Sequence, residues 1–101
     1  MLVVCEPDCR GFVHAEVNAG LIAVLRAAFP GEPLAFFAER EHLRQAAEVL
    51  EEQGVPAVEL RPLRRLPFTD PLLRWPGDRW LARRILGFAA RRAARAVVFC
   101  S

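Results

Sequence analysis

The chain has 101 residues, 53% of them hydrophobic and 26% charged, with a formal charge of +2. Those values describe one compact domain, neither disordered nor fibrous, and too small to keep most of its surface dry. No apolar run approaches the ~20 residues of a membrane span, Met1 to Cys5 lacks the basic and apolar regions of a signal peptide, and Cys5, Cys9 and Cys100 make no disulfide framework, so a reducing, cytoplasmic setting is expected.

Leu2-Val3-Val4-Cys5 reads as a buried strand that stops at Glu6-Pro7-Asp8. A loop continues through Cys9-Arg10-Gly11-Phe12, and HAEVNAGLIAVLRAAF, residues 14–29, is helical until Pro30-Gly31 ends it. PLAFFA, residues 33–38, is a second strand. Residues 39–53 form an amphipathic helix whose inner face carries Leu43, Ala46, Ala47 and Leu50, and Gly54 supplies its stop. VPAVEL, residues 55–60, is a third strand. A Pro- and Arg-rich connection over 61–77 holds Pro62, Pro67, Pro71 and Pro76, which argue against regular structure there. Asp78 can N-cap a third helix running to about Arg95, with Leu81, Ile85, Phe88, Ala89 and Ala93 facing inward. AVVFC, residues 96–100, is a fourth strand.

The order β-α-β-α-β-loop-α-β predicts a single α/β domain over residues 1–101: half of a doubly wound Rossmann-like fold, with a four-stranded parallel sheet in order 3-2-1-4 and three helices. The first helix is apolar nearly all round, its charged residues being Glu16 and Arg26, so more than one covered side is expected. The fourth strand would also leave one sheet edge bare. Both features suit the front piece of a larger protein, or a small protein that completes its core as a homo-oligomer.

Ligands of open parallel sheets bind beyond the carboxyl ends of strands at the topological switch point, here the segment from Glu6 to His14 and whatever follows Cys100. A dinucleotide fingerprint is excluded, because the loop holds one glycine, Gly11, where three are needed. His14 stands at the start of the first helix, where the dipole favours a neutral ring suited to general-base work on a hydroxyl. The plainer alternative is a histidine that lines the helix start. Asn18, one turn on, is placed to bind a substrate hydroxyl or orient the ring; Glu16 is a second acid–base candidate or a first-turn carboxylate facing the dipole. Cys5, Cys9, Cys100 and His14 are chemically a zinc set, but a C-x3-C spacing that starts inside a strand does not suit one, and no metal site is expected. His42 reads as a solvated residue.

All fourteen basic residues are arginine, and the absence of lysine excludes a P-loop or Schiff-base mechanism. Residues 1–59 set four arginines against ten acids, and residues 60–101 set ten against two. The third helix concentrates this basic half. Arg83, Arg84, Arg91 and Arg95 form either a solvated face or a surface for anionic lipid or phosphate, with Trp75 and Trp80 at the interface. No motif for specific nucleic-acid binding accompanies them.

The strand-loop-helix unit VVCEPDCRGFVHAEVNAGLIAVL resembles the N-terminal domain of GT-B glycosyltransferases, and PLAFFAEREHL followed by EEQGV is similar to that family's second unit. The resemblance implies an acceptor-side Rossmann-like domain facing a second domain across a cleft. His14 would be the base for the acceptor hydroxyl, and Gly11, Phe12, Asn18 and Glu16 would bind substrate. It further implies that the nucleotide-sugar donor is held by a C-terminal domain outside this chain, that no cofactor binds here, and that the chain alone is inactive. A sugar or lipid-linked acceptor would be the partner, reached from the cytoplasm with peripheral contact at the inner membrane face. The front half of a sugar-nucleotide epimerase and a non-catalytic α/β interaction module are the alternatives.

Overall fold

The computed structural model describes residues 1–7, 12–55, 57–63 and 71–100, with the backbone alone at 12–13 and 71–78. Seven elements follow one another: β1 (Leu2–Cys5), α1 (Phe12–Ala28), β2 (Leu34–Ala38), α2 (Arg40–Glu52), β3 (Val58–Pro62), α3 (Pro71–Arg91) and β4 (Ala96–Phe99). The sheet is parallel throughout, in order β3-β2-β1-β4. Leu2 is level with Leu34 on one side and Ala96 on the other, and Leu34 in turn with Val58. The expected half of a Rossmann-like domain is therefore the observed architecture.

Residue type explains which strands are central. LVVC and LAFFA are apolar at every position and buried at every position, as parallel strands covered on both faces must be. VELRP and AVVF carry exposed residues and form the edges. Strand alternation then sorts the core into two layers. Leu2, Val4, Leu34, Phe36 and Ala38 pack against Ala15, Ala19 and Ile22 of α1 and Leu43, Ala46 and Leu50 of α2. Val3, Cys5, Ala35 and Phe37 face Ile85, Phe88 and Ala89 of α3.

Gly54 ends α2 as expected: at φ +66° it lets Val55 N–H reach the Leu50 carbonyl at 2.9 Å and its own N–H reach Glu51 at 3.0 Å. The same pattern closes α3, with Ala94 N–H on the Ala89 carbonyl at 2.8 Å, but there Ala93 takes the left-handed position at φ 52°. Ala93 is therefore a cap residue past the end of α3, and not part of its inner face.

The element limits differ most from the sequence reading at β3 and at α3, which runs over Pro71–Arg91 where 78–95 is expected, while α1 starts two residues early at Phe12. β3 spans Val58–Pro62, later than 55–60, because Val55 is committed to the helix cap and Ala57 has φ 53°, which interrupts an extended run. Regular structure also enters the 61–77 connection from both ends, and α3 opens at Pro71, placing Asp78 inside the helix instead of at its cap. Proline is compatible with the first helical position, where its missing N–H has no partner to lose, and Pro76 a turn later forfeits only one backbone bond. Pro67 and the rest of 64–70 lie outside the described residues.

On α1 the buried positions Ala15, Asn18, Ala19 and Ile22 form one stripe, while Val17 and Val24 are each 65% exposed. The second covered side expected for this helix is not supplied by the described residues.

Candidate functional site

The alternation Leu2, Val4 carries one residue further than the strand. Glu6 is the next side chain in that phase, and it is 2% exposed. Its backbone N–H donates to the Phe37 carbonyl at 2.8 Å, which ties it to the end of β2. Asn18 of α1 and His42 of α2, each 4% exposed, complete a polar cluster over the core at the carboxyl edge of the sheet. Asn18 Nδ2 donates to Glu6 Oε2 at 3.0 Å and lies 3.1 Å from His42 Nε2. An amide nitrogen has two protons and accepts none, so the second goes to an unprotonated Nε2, and His42 carries its proton on Nδ1. The opposite amide orientation would set Oδ1 against the Glu6 carboxylate.

His42 thus corrects the expectation of a solvated residue. Its ring stands edge-on to Phe36 with centroids 5.7 Å apart. Burial pushes its pKa below the ordinary imidazole value, and the His14 charge adds to that, against the opposing pull of Glu6 and Glu39. His14 itself is exposed, in the first turn of α1, one turn before Asn18. The structure therefore brings Asn18, Glu6 and His42 into one hydrogen-bonded cluster at the carboxyl edge of the sheet, with His14 one turn away and its charge acting on His42. Asn18 does orient a ring, but that of His42. Glu16 is exposed and lies two residues round the helix from His14, on another face. Phe12 is the first residue of α1, and Gly11 lies outside the described residues.

Cys5 and Cys100 border the same edge, with Cys100 N–H donating to the Cys5 carbonyl at 2.8 Å. Burial, then the neighbouring Cys100 and Glu6, push the Cys5 thiol up to about 12, and burial and Glu6 likewise raise Cys100. Both are free thiols kept protonated, which does not suit nucleophilic chemistry. Among the described residues no group of three or more His, Cys, Asp or Glu side chains is placed to hold a metal ion; Cys9 falls outside them.

Arg83, Arg84, Arg91 and Arg95 are all exposed. Arg84 lies over the Trp80 ring at 5.6 Å and, with Arg40, Pro62 and Leu63, lines an open groove of about 440 Å³. Arg95 is engaged at the amino end of the sheet instead. Its backbone N–H donates to the Met1 carbonyl, and its side chain meets Glu32 at 3.6 Å and Phe29 at 5.8 Å. Trp75 belongs to α3, but its side chain is outside the described residues. Among the described residues no helix is long and apolar enough to cross a membrane.

Two of the three cluster residues escaped the sequence reading, although a signal existed for both. Glu6 continues the period-two alternation of β1, and His42 precedes Ala46 and Leu50 by one and two helical repeats of four. No known protein family, no curated protein and no solved structure matches this chain.

Proposed function

We propose that the chain is the acceptor-side domain of a nucleotide-sugar-dependent glycosyltransferase of GT-B architecture, with His14 as the catalytic base. The observation that carries this reading is the pairing of an exposed histidine with a buried carboxylate–amide–imidazole cluster at the carboxyl edge of an open parallel sheet. There His14 takes the proton of an acceptor hydroxyl as its oxygen attacks the sugar carbon, and the nucleoside diphosphate leaves from a donor held by a second domain. In this reading Asn18 acts at the site through its hold on Glu6 and His42, and substrate contacts for Gly11, Phe12 and Glu16 rest on the family resemblance alone. The domain works in the cytoplasm, and the exposed Arg83, Arg84 and Arg91 with Trp80 suit contact with an anionic membrane face or a lipid-linked acceptor.

In the full gene product His14→Ala lowers kcat by ~10²–10⁴-fold and leaves the donor KM unchanged. Unaltered turnover removes His14 from the mechanism, and an epimerised free sugar nucleotide as product replaces transfer with epimerisation.

A second reading, a non-catalytic module that pairs with its own copies, draws on the exposed Val17 and Val24 of α1 and on β4, which among the described residues is bonded to β1 alone. Sedimentation across a wide concentration range separates the two, because a monomer throughout contradicts self-association.

A further inference from the structure

Glu6, Asn18 and His42 come from the end of β1, the middle of α1 and the first turn of α2, and Asn18 links all three elements through its side-chain amide. We propose that they form a proton-sensitive clamp: with His42 neutral, one Asn18 amide nitrogen holds both Glu6 and His42, and a proton on His42 Nε2 breaks that arrangement and costs Glu6 its Asn18 hydrogen bond. The inference is independent of the transferase reading, since it rests on the hydrogen-bond chemistry of the cluster alone.

Donors and acceptors decide how the cluster responds to a proton. Asn18 Nδ2 spends one proton on Glu6 Oε2 and the other on His42 Nε2. A protonated ring presents N–H at Nε2 to a nitrogen that can accept nothing. Turning the amide over satisfies that N–H with Oδ1, but it brings Oδ1 to the carboxylate oxygen that Nδ2 served. The other ring nitrogen offers no relief, because Nδ1 is buried without a hydrogen-bond partner. A proton therefore finds no acceptor on either side of the ring, and the cluster must open to take one.

The charged groups facing His42 divide. Glu6 from β1 and Glu39 just before α2 favour the proton, His14 from α1 opposes it, and the uncharged Phe36 ring from β2 packs against it in a T-shaped contact. Burial, the largest influence, sides with the neutral ring. The sign follows. The unfolded chain takes a proton on this histidine near pH 6.5 while the folded one does not, so stability falls as pH drops through that value and levels off once the folded ring is protonated. Each pH unit between the two midpoints changes the folding constant about tenfold.

The test is long-range 1H–15N NMR of the imidazole rings of the wild-type chain between pH 7.5 and 5.0, with the Asn18 side-chain amide followed in parallel. The clamp requires the Nδ1–H tautomer of His42 at pH 7.5 and Asn18 amide signals that move with the His42 titration. An Nε2–H tautomer, or an Asn18 amide indifferent to that titration, overturns it. His42→Gln keeps an acceptor for Asn18 but cannot titrate, so its denaturation midpoint becomes flatter across the same pH range, whereas His14→Ala, which removes one influence against the His42 proton, keeps a His42-dependent slope over a narrower pH span. An unchanged slope in His42→Gln also overturns the clamp, and the wild-type NMR result stands by itself if that variant fails to fold.

Discussion

The two faces of the sheet solve the same problem with different means. Under α1 and α2, eleven buried residues make a continuous apolar layer that can seal three polar side chains at its edge. Under α3 seven of the described residues are buried, and the rim is finished by arginines. Arg61 lies over Phe37 at 5.9 Å and over Phe88 at 5.1 Å, and Arg92 also lies over Phe88 at 5.1 Å. Guanidinium groups can do this because their apolar stems and flat faces cover aromatic surface while the charge stays wet. The consequence is a division of labour. The buried hydrogen-bonded cluster sits on the face covered by two helices, and the face covered by one helix is finished by guanidinium groups.

Core truncation tests that division most strongly. Phe36→Ala, in the sealed layer, removes a fully buried ring that also supports His42, and an equilibrium loss of about 3–5 kcal/mol is expected, enough to unfold much of the population of a small domain. Phe88→Ala, on the rim at 7% exposure, leaves space that Arg61 and Arg92 can follow into, and a loss nearer ~2–3 kcal/mol is expected. Urea denaturation of both variants decides the matter, and equal losses would show that the arginine rim packs as tightly as the double layer.

A smaller effect is expected at the helix ends. α2 on the sealed face stops at Gly54, and α3 stops at Ala93 in the same left-handed conformation. Alanine pays a steric cost there that glycine does not, offset in part by glycine's freedom in the unfolded chain. Ala93→Gly should therefore raise stability by about 0.5–1 kcal/mol, read as a rise of a few degrees in Tm. A fall in Tm would mean that the last turn of α3 does not keep its cap in solution.

Much of this fold was legible because its signals are local. A four-residue apolar run is long enough to be β1, and Gly54 after an amphipathic run marks its own conformation. The order 3-2-1-4 then follows from alternating strands and helices. The start of α3 was not legible, since the prolines that mark a break in most contexts here fall at Pro71, where they are tolerated, and at Pro76, where the rest of a 21-residue helix outweighs one lost bond. The site divided in a similar way. His14 and Asn18 were visible from their place after the loop. Glu6 and His42 become functional candidates only once β1, α1 and α2 are packed together, because each lies at the end of an apolar pattern and is buried by neighbours distant in sequence.

The sheet also separates its two neighbouring thiols. Cys5 packs into the α3 layer and Cys100 against the α1–α2 layer, so residues bonded through their backbones across adjacent strands point to opposite sides. Crosslinking them would require turning one strand over, so mild oxidants are expected to leave the two unbridged. It is also a built-in clock. With Cys9 replaced by serine, a thiol reagent would label half-buried Cys100 first, and the delay before Cys5 reacts would time the opening of the opposite layer without any added probe.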